Sequence, residues 1–404
     1  MRISTANSYD AGVVTLQRRQ TELTDAQERL TSGKRVTRAS DDPVAAARAE
    51  RALAGEARVR ASERSVENSR SMMMQAEGAL GEAGELMQQA REIIVNSGNA
   101  SYGAAERKSM AVQLGQIRDQ LMAIANRSDG AGSFLFGGQG ASVQPFVDSR
   151  PQAGVVPEQT GATYVGSAGV AMTEPGSNLP LALDGAAIWL SARTGNGVFD
   201  VRPPTGGQGA WVETARVIAP GSITGNNYDV AYDAATQSVA ITNTDTGAVV
   251  GSRPFVAGQA IEFDGIELTL NGTPLDGETY RIVPSTANLS VFGALDKAVA
   301  DLSNGAGGAA LNQSVFDNLR NLDAAMGGLQ AARSRAGEAL SRIDSASNQL
   351  ASEKLHHQTE RASAEDLDMV AAISEFESKQ TGYDAALKSY SMVQRMSLFQ
   401  YLNV

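Results

Sequence analysis

Apolar residues recur every seven positions at the start of the chain. Tyr9, Leu16, Leu23 and Leu30 form one series, and Ala6, Val13, Gln20 and Gln27 fill the companion positions of the same heptad. A seven-residue repeat keeps one stripe turned toward a partner helix while the two supercoil. A helix of about 30 residues is about 45 Å long at ~1.5 Å per residue. So narrow a stripe supplies little core of its own and requires a partner. The C-terminus carries a matching stripe. Met369, Ile373, Phe376, Gln380, Tyr383, Leu387 and Tyr390 alternate at spacings of four and three, and Met396, Leu398 and Phe399 extend the apolar character almost to Val404. Glutamines in both stripes predict a weakened seam of defined register. The pattern predicts that the two chain ends pair, and that an apolar stripe running to the terminus is ordered and covered on assembly. The expected assembly seam is Val13, Leu16, Leu23, Leu30, Ile373, Phe376, Tyr383, Leu387 and Tyr390.

Inside these ends the pattern stays helical. Ser40-Asp41-Asp42-Pro43 reads as a helix start, with Asp42 as N-cap and Pro43 in the first helical position. The spacing predicts a helix over about 44–97, carrying Leu53, Leu80, Leu86, Met87, Ile93 and Ile94. Its run Met72-Met73-Met74 reads as adaptable core at a helix contact. Ser97-Gly98-Asn99 ends it, and a further helix holds Met110, Leu114, Ile117, Leu121 and Ile124. Asp129-Gly130-Ala131-Gly132 breaks that helix, and Ser133–Gly138 reads as a short strand or turn. On the C-terminal side Leu322, Leu329, Ala336, Ile343 and Leu350 recur every seven, with Val315, Leu319 and Met326 interleaved. His357 continues the series, which places His356 and His357 at a helix surface and seam edge. Adjacent residues point about 100° apart on a helix, so the pair lacks the i, i+4 spacing of a helical zinc site.

The middle of the chain changes period. Residues 141–286 are rich in Gly, Thr, Val and Pro, and hold six Arg, no Lys and fourteen acidic residues. Candidate strands are Thr163–Met172, Ala187–Leu190, Trp211–Ile218, Asn227–Ala231, Gln237–Thr242, Ala260–Phe263 and Thr279–Val283. Asp264-Gly265 between Ile261-Glu262-Phe263 and Ile266-Glu267-Leu268 is a two-residue hairpin signal. Strands at this spacing suggest a sandwich or small barrel. The expected fold is α+β and multidomain: a long-helix coiled coil and bundle formed by both termini, with an inserted all-β domain. Residues 1–42 and 363–404 would make the terminal coiled coil, 43–140 and 287–362 a helical trunk, and 141–286 the inserted domain.

Composition narrows the chemistry. The 404 residues carry a net charge of −11, which argues against nonspecific nucleic-acid binding. Without cysteine there are no disulfides, thiol nucleophiles or cysteine-ligated metals, and two adjacent histidines make poor material for a catalytic triad. Neither Gly130-Ala131-Gly132 nor Thr205-Gly206-Gly207-Gln208-Gly209 has the strand–loop–helix context of a phosphate cradle. Asp41 with Asp42 is the ordinary cap pattern. Asp184, Asp200, Asp233, Asp264 and Asp276 read as surface-loop residues rather than as a glycosidase pair. The expectation is a non-enzymatic chain with no catalytic, cofactor or metal site. No stretch approaches the ~18 apolar residues of a membrane span, and the N-terminus lacks the layout of a cleavable secretory signal.

Glu28–Ala47, with its Leu30-Thr31-Ser32-Gly33-Lys34-Arg35-Val36 and Ser40-Asp41-Asp42-Pro43 runs, resembles the N-terminal motif of the bacterial flagellin family. Its Asp-Asp-Pro is closer to members at the hook–filament junction than to filament subunits, which more often show Asp-Asp-Ala. Ser133–Gly138 is similar to the family's turn after the second trunk helix, and Ile261–Pro284 resembles a β segment found in it. The tail is similar as well: Gln380–Leu387, Tyr390–Gln394 and Met396–Leu402. Its last residues depart from the usual ending, and the middle matches only at its end. The resemblance implies a structural role in the flagellum, between hook-associated protein 1 and the flagellin filament. It implies a ring of copies of this chain, a cytosolic export chaperone at the C-terminal region, and no nucleic-acid partner or membrane insertion. It also implies an extracellular location, reached by type III export without a cleaved signal. A filament subunit, or a flagellar scaffold displaying a carbohydrate-binding β domain, are the alternatives.

Overall fold

The computed structural model describes residues 2–140, 143–149, 160–173, 178–204, 207–305 and 307–402. Seven helices run through these residues: α1 (Arg2–Ser32), α2 (Pro43–Ser97), α3 (Ala104–Ala125), α4 (Gly185–Trp189), α5 (Val291–Ser303), α6 (Gly308–Glu365) and α7 (Met369–Leu402). The strands fall between them: β1 (Phe146–Ser149), β2 (Gly161–Tyr164), β3 (Ala171–Met172), β4 (Pro180–Ala182), β5 (Ala192–Arg193), β6 (Phe199–Arg202), β7 (Ala210–Val217), β8 (Tyr228–Asp233), β9 (Ser238–Asn243), β10 (Val249–Pro254), β11 (Ala260–Phe263), β12 (Ile266–Gly272), β13 (Thr279–Pro284) and β14 (Ala287–Leu289). This is the α+β multidomain fold expected from the alternation of periods. Contacts gather into two compact units, residues 1–64 with 346–404 and residues 65–345, so the division falls within α2 and α6.

The second unit has two cores. One is helical, built from Leu80, Met87 and Ile94 of α2, Leu114 and Leu121 of α3, Leu295 of α5, and Leu322 and Leu329 of α6. The Ser133–Gly138 segment feeds it as a turn that buries Leu135 and Phe136 completely. Phe136 meets Trp189 edge-on at 5.6 Å, and Trp189 stacks on Phe292 at 5.7 Å. Trp189 corrects an expectation: Ala187–Leu190 is not a strand but belongs mainly to α4, whose N-cap Asp184 accepts from the Ala187 N–H at 3.2 Å. The methionine run divides, with Met73 buried, Met72 half-buried against the core and Met74 exposed.

The other core lies between two antiparallel sheets, ordered β10-β9-β8-β13-β6 and β11-β12-β7. Phe199, Val230, Ile241 and Ile282 of the first sheet share one buried cluster with Val212, Ile261 and Leu268 of the second. That makes a two-sheet sandwich. The Asp-Gly signal is met: Phe263 pairs with Ile266, and Asp264 and Gly265 take φ of 47° and 74°. Both turn residues need positive φ, which glycine and aspartate tolerate best. Thr163–Met172 is not one strand. Its ends belong to β2 and β3, in separate two-stranded ladders with β1 and β4.

Buried polar side chains tie the elements of this unit together. Arg118 of α3 pairs with Asp148 of β1, donates to the Gly161 carbonyl at 2.7 Å, and meets Asp296 of α5 at 3.0 Å. Glu278 accepts backbone N–H donors from Gly209, Ala210 and Leu275 and the Tyr280 hydroxyl. Asp200 is not in a surface loop as expected. It is buried on β6, 2.8 Å from Arg320 of α6. Arg320 also lies 3.3 Å from Asp317, and Gln313 bridges Asp317 to the Val212 N–H.

Burial pushes the Asp317 carboxyl up to about 6, against the opposing pull of Arg320 and Lys297. A carboxyl raised on folding binds more protons when folded than when unfolded. Its stabilisation is fullest below its unfolded value near 4 and fades as pH rises through 6. The group therefore lowers stability by about 2 kcal/mol between pH 4 and pH 7. Denaturant unfolding of the chain and of Asp317→Asn across this window checks it. The variant is expected to lose this part of the decline; parallel profiles would contradict the assignment.

Candidate assembly surfaces

The first unit is built from both chain ends, and the Arg29–Asp42 segment closes it. Gly33 ends α1 with φ of 69°, and its N–H returns to the Arg29 carbonyl at 2.9 Å. The chain then meets the α6–α7 connection in a short antiparallel bridge, Lys34 opposite Asp366. The Arg35 N–H donates to the Glu365 carbonyl at 2.7 Å, and the Leu367 N–H to the Gly33 carbonyl at 3.0 Å. Side chains reinforce this clasp. Lys34 Nζ lies 3.0 Å from Glu365, and the Arg35 guanidinium reaches the Ala364 carbonyl and Asp42. Val36 and Ala364 are buried beneath it.

The Asp-Asp-Pro run works here as cap and staple. Asp42 accepts from the Ala45 N–H at 3.0 Å and the Val44 N–H at 3.2 Å, which caps α2 ahead of Pro43. Asp41 accepts from the Arg38 and Thr37 N–H groups and the Thr37 hydroxyl. These N–H donors, from Arg38 foremost for Asp41 and Ala45 foremost for Asp42, hold both carboxyls below the usual range. Below the clasp α2 and α6 run antiparallel. Glu56, itself buried, meets Arg361 at 3.0 Å, and Glu63 meets Lys354 at 3.0 Å. His357 lies over Gly55, where a Cβ would stand 2.6 Å from its ring. His356 is exposed, so the surface and seam-edge reading of the pair holds.

From the clasp α1 and α7 extend side by side in opposite directions. A Cβ on Gly12 would touch the Tyr390 ring at 3.5 Å, and one on Gly382 would meet the Arg19 guanidinium at 2.5 Å. Leu16, Leu23 and Leu30 are half-buried and Ala26 buried on α1; Phe376, Tyr383, Ala386 and Tyr390 are half-buried and Ala372 buried on α7. The α1 stripe is therefore Gly12, Leu16, Arg19, Leu23, Ala26 and Leu30, with Val13 half-buried at its edge. Gln20, Gln27 and Gln380 are exposed, contrary to the expected polar seam. Half-buried Arg19 and Lys379 take that place instead, with the Arg19 guanidinium against Gly382.

The α7 stripe lies one residue earlier than the sequence spacing suggested. Ala372, Phe376, Lys379, Tyr383, Ala386 and Tyr390 face α1, while Met369, Ile373 and Leu387 are exposed. Phe376, Tyr383 and Tyr390 belong to both descriptions, which is why the spacing alone misassigned the intervening positions. Val370 is 78% exposed, Ile373 47% and Leu387 42%, and Val14 of α1 is 63% exposed. An apolar side chain left in water forgoes about 1.5–3 kcal/mol of burial. Tyr9 and Ala6, with Met396, Leu398 and Phe399, fall among residues whose side chains are not described. Among the described residues no three His, Asp or Glu side chains group as metal ligands.

Long helices from both chain ends, clasped at one point, with an antiparallel β insertion between them in the sequence define a flagellin-type architecture. The N-terminal helical region of bacterial flagellin matches residues 3–141 and the C-terminal helical region matches residues 319–402. The chain belongs to the bacterial flagellin family. It is 34% identical over 148 residues to flagellar hook-associated protein 3 of Salmonella typhimurium, covering 36% of this chain and 46% of that one. With the Escherichia coli protein of the same name it shares 27% over 202 residues, 50% of this chain and 57% of that one. The chain thus spans about half the length of these curated relatives. The crystal structure of Xanthomonas campestris FlgL superposes with a TM-score of 0.68 at 27% identity, over 78% of this chain and 99% of that one.

The α1–α7 seam depends on the empty space at Gly382. Gly382→Leu is expected to displace Arg19 and separate α1 from α7 without unfolding residues 65–345. Limited proteolysis checks this. The variant should lose both ends faster than the parent while keeping the same resistant fragment; unchanged cleavage would contradict the seam.

Proposed function

We propose that the chain is a non-enzymatic structural element of the bacterial flagellum, joining hook-associated protein 1 to the flagellin filament as a ring of identical copies. The observation that carries this reading is the match of both chain ends to the flagellin helical regions, together with a superposition that spans 99% of the FlgL chain. In this reading Val13, Leu16, Leu23, Leu30, Phe376, Tyr383 and Tyr390 hold the ends together within one copy. Ile373 and Leu387, with Val370 and Val14, meet neighbouring copies. Before export the same exposed residues of α7 are what a cytosolic chaperone would cover. Export proceeds without cleavage of a signal, and the protein resides outside the cell on the flagellum.

The direct test is a strain lacking this chain, examined by electron microscopy with flagellin assayed in the medium. Hooks without filaments, and flagellin monomer lost to the medium, are the expected result. Hooks without filaments and no flagellin released would make the chain a filament subunit instead. Normal filaments would defeat the reading altogether. Ile373→Asp should abolish filament retention while the secreted chain stays folded, because assembly would bury an unpaired charge. Unchanged motility in that variant would remove Ile373 from the interface.

A further inference from the structure

A trough runs along α6 within the second unit, between that helix and the segment from β3 to β6. Its larger part is a cavity of about 740 Å³, and a second part of about 280 Å³ continues it, sharing Ala187 and Arg335. Its floor is small and apolar, with Ala324, Gly327, Gly328 and Ala331 on α6 facing Ala187 and Ala192.

Its charges are unevenly satisfied. Arg91 is paired with Asp323 at 2.7 Å, and Arg320 is held by Asp200 and stacks on Phe316 at 5.4 Å. Arg193 donates only to the Gly197 carbonyl, and Arg335 to the Ala331 carbonyl of its own helix. Among the described residues Arg193, Arg335 and Arg342 have no carboxylate partner. Asp184 is occupied by the Gly169 and Ala187 N–H groups, which leaves Glu338 as the free acid of the trough.

The outer face of α2 carries the complementary pattern. Met74, Glu85 and Glu92 are exposed, and at about 100° per residue they share one side of the helix. Glu85 and Glu92 have no ion-pair partner among the described residues. They stand seven residues apart, as do Arg335 and Arg342. Two helical turns separate each pair by about 10.5 Å, so both arginines can meet both glutamates at once.

We propose that the trough receives the outer face of α2 from a second copy of this chain, with Arg335 and Arg342 opposite the neighbour's Glu85 and Glu92. The contact joins two different faces, so it is heterologous and repeats head to tail until a ring closes. Opposed charges at matched spacing set register and exclude mismatched neighbours. This inference rests on the reading of the chain as a ring-forming element and names the surfaces that make the ring.

The chain has no cysteine, so introduced thiols report this contact alone. Flagella are isolated from cells whose chain carries Glu92→Cys and Arg335→Cys, then oxidised and run without reductant. A ladder of disulfide-linked dimers and larger species is expected from the double variant and from neither single variant. No ladder in cells that keep their filaments, or adducts to a different flagellar protein, would overturn the proposal. Charge exchange is the second arm. Arg335→Glu with Arg342→Glu should reduce the fraction of cells bearing filaments several-fold, and adding Glu85→Arg with Glu92→Arg should restore it. A combined variant that is secreted and folded yet as defective as the first pair would also overturn it. Normal filaments in the strain lacking the chain would defeat the reading of its role; a missing ladder in otherwise normal flagella defeats only this contact.

Discussion

Two long helices side by side bury one stripe each, and everything else about the ends of this chain follows from that limit. Among the described residues of α1 and α7 only Ala26 and Ala372 are buried, while Leu16, Leu23, Leu30, Phe376, Tyr383 and Tyr390 remain half in water. Ordering each residue of such a pair costs roughly 1–2 kcal/mol of backbone entropy, and an isolated helix recovers little of it without a packed face. In the reading proposed above, neighbouring copies supply the further burial. Whatever binds only the paired form stabilises it by mass action, and in that reading the ends become firm where copies are concentrated and aligned.

The clasp makes the limited seam usable. Backbone bonds between residues 33–35 and 365–367 bring the two ends of a long chain to one point, so α1 and α7 start in register and need not search for one another. The second unit solves a different problem, an insertion that must keep its place on a helical scaffold. Polar groups do much of this work: Arg118 gathers β1, the start of β2 and α5 about one guanidinium, and Arg320 with Gln313 fixes both sheets of the sandwich to α6. Cutting a buried charge network by removing one partner leaves the other uncompensated, typically at a cost of about 3–5 kcal/mol.

Much of this was legible in the residues. The cap at Asp42-Pro43, the stop at Ser97, the seven-residue series through Leu322, Leu329, Ala336 and Ile343, and the Asp264-Gly265 hairpin are local signals, and each lies where its own chemistry put it. The α7 stripe was misread because heptad spacing accepts two adjacent registers when aromatic residues fall in both, and only the partner decides between Ala372 and Ile373. The glutamines went wrong for the same reason. Arg19 and Lys379 carry no apolar signal of their own, although Gly382 opposite Arg19 marks where a long side chain needs room. Ala187–Leu190 looked like a strand because a one-turn helix is too short to show a period. Asp200 gave no sign of burial, since its partner Arg320 lies far along the chain.

The central claim is that the chain ends are incomplete in the single molecule and completed by neighbours. Hydrogen exchange of the backbone amides, followed in the purified chain and in isolated flagella, tests it most directly. Amides of residues 10–32 and 369–392 should exchange fast in the free chain, well ahead of those in the core around Leu121 and Leu329, and become strongly protected in the assembled flagellum. Slow exchange of both ends in the free chain, equal to that of the core, would show that the pair is already complete and would contradict the account.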